Sequence, residues 1–106
     1  MQKPKEMNKV TVVYGHPTDV DVFENYYKNN HLPLANTMKG VAKWEFTKFL
    51  ATPDGSKPEF YRMAEIYFSD MEQLQKTMSS PEGQATAADL ANFATGGVQV
   101  MIGTIE

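Results

Sequence analysis

Four strand-like stretches and two helix-like stretches alternate along this chain in an order that few folds can accommodate. β-Branched, aromatic or alternating apolar residues mark the strands, over Lys9–Tyr14, Val41–Leu50, Phe60–Phe68 and Val98–Ile105. Helical spacing follows the first strand and again the third. The order strand–helix–strand–strand–helix–strand is the split βαβ pattern of ferredoxin-like folds. We therefore predict an α+β fold, with a four-stranded antiparallel sheet and both helices on one face, where right-handed crossovers place them.

The first helix is indicated by an apolar and aromatic stripe at steps of three and four residues. The stripe consists of Val20, Phe23, Tyr27, His31 and Leu34. Pro33 interrupts it, because proline clashes with the preceding turn and restricts the residue before it. We expect the long helix to end or kink near Asn29–Leu32.

The second helical region begins with a capping box, Ser69–Glu72, in which Ser69 is the predicted N-cap. Ser80-Pro81 then restarts a helix, with proline at its tolerated first position. Its predicted apolar stripe is Ala85, Ala88, Leu90, Ala91 and Phe93. Gly96-Gly97 ends this region before the last strand.

Composition excludes several classes of function. The chain has 106 residues, enough for one domain, which we place at residues 9–106 after a polar lead-in at residues 1–8. It has no cysteine, so disulfide scaffolds, thiolate zinc sites and cysteine nucleophiles are excluded. His16 and His31 lack the spacing of a ligand pair, and no metal site is predicted. With a net charge of −3 and no long apolar run, we expect a cytoplasmic protein that binds neither nucleic acid nor membrane.

Two helices can cover one face of such a sheet, and the composition of the other face is therefore informative. Ala64, Ile66 and Phe68 alternate with Tyr61, Met63, Glu65 and Tyr67, and Gln99 and Met101 alternate with aliphatic residues. We assign the purely apolar sets, with Trp44, to the helices, and the mixed sets to the open face. A mixed apolar face is suited to pack against its copy and enclose a pocket, which predicts a homodimer through the sheet faces. The alternative is an error of one residue in strand register.

Several segments resemble the EthD family, named for ethyl tert-butyl ether degradation. The first is Tyr26–Ala35, with its His-x-Pro-Leu motif; the others are Ala64–Phe68, Ser79–Gln84 and Ala88–Ala94. The resemblance extends over roughly residues 9–105. It implies a dimeric α/β-barrel, in which two ferredoxin-like sheets close against each other. It also implies a broad oxidoreductase function, within a superfamily that includes cofactor-free monooxygenases, isomerases, cyclases and haem-binding members.

Two residues are candidates for catalysis. Histidine side chains in general can transfer protons near neutral pH, so His31 is a candidate acid or base, and the resemblance implies that it is the motif histidine. The alternative is that it only caps a helix C-terminus. Glu65 would be desolvated among Tyr61, Met63 and Tyr67, which favours a general base. Its alternative is an ion pair with Lys43 or Arg62.

The predicted substrate-binding residues are aromatic, thioether or amide side chains near this candidate pair, namely Tyr14, Tyr27, Tyr61, Met63, Tyr67, Gln99 and Met101. The leading hypothesis is an oxidoreductase that transfers protons to or from a small apolar, aromatic or ketonic metabolite, or oxidises it, without a cofactor. The alternatives are a non-catalytic ligand carrier of a catabolic pathway, with the same pocket, and a haem-binding protein with His31 as axial ligand.

Overall fold

Four antiparallel strands form one sheet in the order β2-β3-β1-β4. The computed structural model describes residues 7–106. The strands are β1 (Asn8–Tyr14), β2 (Lys43–Lys48), β3 (Arg62–Phe68) and β4 (Val98–Thr104). The helices are α1 (Val20–Tyr26), a π-helical turn (Tyr27–His31), α2 (Leu32–Ala35), α3 (Met71–Ser79), α4 (Pro81–Asp89) and a 3₁₀ turn (Leu90–Asn92). The predicted α+β class and the ferredoxin-like order of elements are confirmed.

The strand register places the predicted apolar sets on the helix side of the sheet. Val10 is paired with Ile66 on one side and with Ile102 on the other. Val12, likewise, lies between Ala64 and Val100. The β1 and β3 members of these rows are buried beneath the helices. The expected division of β3 into a helix face and an open face is therefore correct between Arg62 and Phe68.

An aromatic cluster fills the space between the sheet and α1. Tyr14 and Phe23 are almost fully buried, and their rings meet edge to face at 5.4 Å. Phe93 contacts both rings from the end of the second helical region. Each such side chain contributes about 1.5–3 kcal/mol through burial alone. This cluster attaches α1 to the centre of the sheet.

The helices leave the outer part of β4 uncovered. Val100 and Ile102 face the helix side through their pairing with β1, yet they are 51% and 58% exposed. Their exposure leaves an apolar border along one edge of the sheet.

The first helical region does not end where Pro33 predicts. It widens into the π-helical turn Tyr27–His31 and continues as α2, with Pro33 in the first turn. The expected irregularity is present, but the chain remains helical as far as Ala35. A wide turn before Pro33 makes room for its ring, which would otherwise press on the preceding carbonyls. Leu34, predicted to lie on the buried stripe, is only half-buried, and Ala35 is buried instead.

The second helical region needs two corrections. The N-cap of α3 is Asp70, not Ser69, since its side chain accepts from the Gln73 amide. The buried face of α4 consists of Gly83, Thr86 and Asp89, whereas the predicted Ala85 and Ala88 are exposed. The reason lies at Gly83, where a Cβ atom would come within 2.2 Å of the Thr77 carbonyl oxygen. The close approach of α3 to α4 therefore decides which side of α4 is buried.

The strand ends also differ from their predicted limits. β3 begins at Arg62, and Tyr61 lies in a bend before it. Tyr61 was expected on the open face, but its ring packs edge to face on Phe23 at 5.4 Å, within the helix-side core. The predicted lead-in falls mainly on residues 1–6, outside the described part of the chain, and Asn8 is already paired in β1. Within residues 7–106, no helix has the length and apolar character to cross a bilayer.

Candidate functional site

A narrow apolar cavity lies between the helix side of the sheet and the helices. Its enclosed space measures about 50 Å³. Side chains from all four strands and from both helical regions line it, and most of them are aliphatic or aromatic. The polar side chains of the lining are those of Tyr14, Tyr27, His31 and Thr86. A few polar groups in an apolar cavity are typical of a small-molecule site.

His31 is held in this lining by a buried carboxylate. Its side chain is 5% exposed, and Nδ1 lies 2.9 Å from Oδ2 of Asp89. The π-helical turn ends at His31, and its ring lies against Phe93 with a centroid distance of 4.6 Å. An ionised Asp89 carboxylate can only accept a hydrogen bond, so Nδ1 of His31 carries the proton in this contact and Nε2 is the nitrogen left for a ligand. The imidazole is therefore oriented by a partner, as in many acid–base sites.

Asp89 is itself held by two further donors. The Tyr26 hydroxyl donates to its Oδ1 at 2.6 Å, and the Asn92 side-chain amide donates to the same oxygen at 2.9 Å. Partial burial would raise the pKa of the Asp89 carboxyl. Hydrogen bonds from Tyr26, Asn92 and His31 outweigh that effect, so its pKa lies below the ordinary value. Asp89 is thus ionised at neutral pH, as the contact with Nδ1 requires.

Tyr27 brings a buried hydroxyl to the same cavity. Its ring stacks near His31 at 5.8 Å, and the Arg62 guanidinium carbon lies 4.5 Å from the ring centroid. The hydroxyl has no hydrogen-bond partner among the described residues. Burial raises the pKa of Tyr27 to about 12, so the phenol is neutral and available as a donor. An unsatisfied buried hydroxyl costs about 1–3 kcal/mol, which a ligand oxygen would remove.

Glu65 does not join His31. It lies on the opposite, open face of the sheet, because it pairs with Thr11 and alternates with the buried Ala64 and Ile66. Its Oε2 accepts from Lys9 Nζ at 2.5 Å and from the Tyr67 hydroxyl at 3.3 Å. The structure therefore does not bring Glu65 and His31, the two predicted catalytic residues, together. An ion pair was the right alternative for Glu65, although its partner is Lys9.

The proposed substrate-binding residues divide among three regions. Tyr14 and Tyr27 line the cavity with His31. Tyr61 packs in the aromatic core beside Phe23. The others lie on the open face by register, and they are Met63, Tyr67, Gln99 and Met101. Tyr67 donates to Glu45 there at 2.5 Å, a hydrogen bond that, with burial and the charge of Glu65, raises the pKa of its phenol.

Sequence reasoning missed Asp89 and the residues that hold it. One signal was present, since a carboxylate in the last turn of a helix opposes the helix dipole and needs another reason to be there. Asp89 lies on the buried side of α4 because Gly83 packs closely against α3. The spacing of Ala85 and Ala88 in the sequence indicated a different buried side.

Outside the cavity, two grooves run between the first helical region and the edge strand β2. One encloses about 430 Å³ and the other about 340 Å³. Lys28, Leu32 and Phe46 line both grooves. Leu32 and Phe46 also line the cavity, so the grooves lead to it. The cavity can accept a small group, and the larger part of a ligand would lie in these grooves.

The described residues contain no cluster of three or more His, Asp or Glu side chains that could hold a metal ion. A porphyrin is far too large for the cavity of about 50 Å³ in which His31 lies.

The split βαβ order and the four-stranded antiparallel sheet place the chain among the ferredoxin-like α+β proteins. Residues 15–97 match the EthD domain, and the chain belongs to the EthD family. It is 39% identical over 95 residues to an uncharacterised 11.0 kDa protein of the thcB–thcC intergenic region of Rhodococcus erythropolis, covering 90% of this chain and 91% of that one.

Two solved structures are similar over most of their length. An EthD family protein of Bacillus halodurans C-125 has a TM-score of 0.88 at 34% identity, with 94% of this chain and 99% of that chain covered. An EthD-like protein of Ralstonia eutropha JMP134 has a TM-score of 0.72 at 24% identity, with 93% and 91% covered. The resemblance inferred from the His-x-Pro-Leu segment and the second half of the chain is confirmed.

Proposed function

We propose that this protein is an EthD-family enzyme that transfers a proton to or from a small, mainly apolar metabolite, with His31 as acid and base. The observation that carries the proposal is the 2.9 Å contact between His31 Nδ1 and Asp89 Oδ2 in the wall of an apolar cavity. A histidine oriented in this way contributes typically 10²–10⁴-fold to a proton-transfer step. Glu65, which the sequence predicts as a second catalytic residue, has no part in this mechanism.

In the proposed step, Nε2 of His31 takes a proton from an acidic C–H or O–H group of the ligand. Asp89 stabilises the imidazolium that forms, and the Tyr27 hydroxyl donates to the ligand oxygen on which negative charge develops. Returning the proton to another atom gives isomerisation. Reaction of the deprotonated ligand with dioxygen would give oxidation, the second possibility that the family resemblance implies.

Fold relatives support the idea that a chain of this size can catalyse. SnoaB of Streptomyces nogalater, described as a cofactor-independent oxygenase, has a TM-score of 0.61 at 14% identity. A hydroxynitrile lyase of Passiflora edulis has a TM-score of 0.75 at 13% identity. These likenesses concern the fold, and the His31–Asp89 pair is the argument for chemistry in this chain.

We also propose that the working unit is a homodimer formed through the open sheet faces. Two fold relatives are described as dimeric ferredoxin-like proteins. The open face of this chain has a strip of Val13, Met63 and Met101, and Met101 is about half exposed. A second copy would cover this strip, whereas the cavity lies within one chain on the other side of the sheet.

Hydrogen exchange on a ligand tests the catalytic proposal without knowledge of the final product. The protein is incubated in D₂O with a set of enolisable ketones and phenols, and deuterium incorporation is measured by mass spectrometry. The wild type should accelerate exchange for at least one compound. His31→Gln should reduce this exchange by at least about 10²-fold, because glutamine cannot accept the proton.

Tyr67→Phe is the matched control, since Tyr67 lies on the open face and its loss should leave exchange unchanged. Equal exchange by wild type and His31→Gln would reject the catalytic role of His31. Saturable binding without exchange by the wild type would favour the alternative function, a non-catalytic ligand carrier.

A further inference from the structure

The edge strand β2 forms an aromatic wall at the entrance to the cavity. Trp44 and Phe46 lie on the same side of the strand, with nearly parallel rings whose centroids are 6.1 Å apart. Phe46 is 46% exposed, although both rings line the cavity and the larger groove outside it. A half-exposed aromatic pair beside an apolar cavity offers a flat surface on which a planar ring can stack.

The same entrance has an excess of positive charge. Lys28 is exposed, lines both grooves and has no ion-pair partner among residues 7–106. Arg62 and Lys48 also lie near the smaller groove, but both contact Glu24, at 2.8 Å and 3.2 Å. The region therefore has one carboxylate, that of Glu24, and three cationic side chains, those of Lys28, Lys48 and Arg62. Burial would raise the pKa of Glu24, but Lys48 and Arg62 together hold it below the ordinary value, so this carboxylate stays ionised.

Two buried donors next to the entrance lack partners. The Tyr27 hydroxyl and Nε of Arg62 have no hydrogen-bond acceptor among the described residues. Both residues line the smaller groove, and the guanidinium of Arg62 stacks over the Tyr27 ring at 4.5 Å. Unsatisfied donors beside an uncompensated cation favour a ligand that supplies negatively charged oxygen.

We propose that the ligand of this site is a planar aromatic compound bearing a carboxylate, with its ring on Trp44 and Phe46 and its carboxylate on Lys28. This proposal rests on the proposed function, since it names the substrate class of the same cavity. The size of the site agrees with it, because the cavity of about 50 Å³ admits one small substituent and the groove of about 430 Å³ holds the ring. Lys28 selects for charge and the aromatic wall selects for planarity.

Trp44 is the one tryptophan of the chain, so its fluorescence reports directly on the wall. Phenylacetate is titrated into the protein, with phenylacetamide as the neutral analogue and cyclohexylacetate as the non-planar acid. Phenylacetate should change the Trp44 emission saturably, and both analogues should bind at least roughly fivefold more weakly. Lys28→Gln should lower the affinity for phenylacetate roughly fivefold and leave that for phenylacetamide unchanged, which is the effect of losing a partly exposed ion pair. Lys57→Gln, in an exposed loop outside both grooves, is the control.

Absence of a saturable change with phenylacetate, or equal affinity for phenylacetamide, would overturn the proposal. An equal effect of Lys28→Gln and Lys57→Gln would also overturn it. If the Trp44 emission changed on dilution of the protein while phenylacetate had no effect, a second copy of the chain would cover the aromatic wall. This result would also overturn the proposal. A wild-type protein that binds phenylacetate with this selectivity but accelerates no proton exchange would reject the proposed function and leave this proposal standing.

Discussion

The chemistry proposed for this protein depends on one histidine and on the side chains that hold it. The four groups involved come from separate parts of the chain: Tyr26 at the end of α1, His31 at the end of the π-helical turn, Asp89 at the end of α4, and Asn92 in the 3₁₀ turn. Tyr26 and Asn92 occupy one oxygen of Asp89, which leaves the other for His31. The imidazole is thereby fixed without any contribution from the open face.

Tyr27→Phe separates stability from function at the residue scale. The substitution removes a buried hydroxyl that has no partner among the described residues, so the free protein should be unchanged or more stable by up to about 1 kcal/mol. The same substitution should reduce ligand affinity or proton exchange, because the hydroxyl would be a donor to the ligand. Urea unfolding and the D₂O exchange assay measure the two effects.

Tyr67→Phe, which removes hydrogen bonds to Glu45 and Glu65 on the open face, should show no loss of exchange. A Tyr27→Phe protein that is clearly destabilised and fully active would contradict the role given to this hydroxyl.

At the scale of elements, the packing of α4 on α3 brings Asp89 to the cavity. Gly83→Ala should destabilise the protein by about 1–3 kcal/mol, since the new Cβ atom would meet the Thr77 carbonyl oxygen and force the helices apart. It should also weaken the contact of Asp89 with His31 and lower exchange. Thermal unfolding and the exchange assay together measure this outcome.

Gly103→Ala is the matched control, because no atom lies within 4 Å of a Cβ placed there. If Gly83→Ala were as stable as Gly103→Ala, the close approach would not determine the orientation of α4.

Much of the element order could be predicted from the sequence, because the signals are local. Alternation placed Ala64, Ile66 and Phe68 towards the helices, and Ser80-Pro81 correctly marked the start of α4. Features that depend on contacts distant in sequence could not be predicted. Asp89 meets His31 across 58 positions of the chain, and the Gly83 contact that turns it inwards is a tertiary one.

Tyr61 and Glu65 show the same limit. Tyr61 precedes the strand, so its alternation with Met63 does not hold, and its ring enters the core. The open-face position of Glu65 follows from the alternation. The prediction that Glu65 acts with His31 placed both residues at one site, whereas they lie on opposite sides of the sheet.

At the scale of the whole molecule, the two faces of the sheet have separate roles. The helix side holds the cavity, and the open side combines the strip of Val13, Met63 and Met101 with the ion pairs around Glu65. Sedimentation at micromolar concentration should therefore give twice the chain mass of 11.9 kDa. Met101→Lys should shift the protein to the monomer, because an unpaired charge buried in the proposed interface is strongly unfavourable.

Val22→Lys, on the exposed surface of α1, should remain dimeric. A wild-type monomer, or a Met101→Lys protein that still forms dimers, would contradict the proposed interface. Proton transfer should persist in a monomeric variant that stays folded, since the cavity is formed within one chain.

The central claim is that Asp89 holds His31 with its Nδ1 proton inwards and leaves Nε2 for the ligand. Nitrogen-15 NMR of the His31 imidazole, recorded at alkaline pH where the ring is neutral, tests it most directly. The neutral ring should be protonated at Nδ1, and this preference should be weakened in Asp89→Asn. A neutral ring protonated at Nε2, or a spectrum of His31 that Asp89→Asn leaves unchanged, would contradict it.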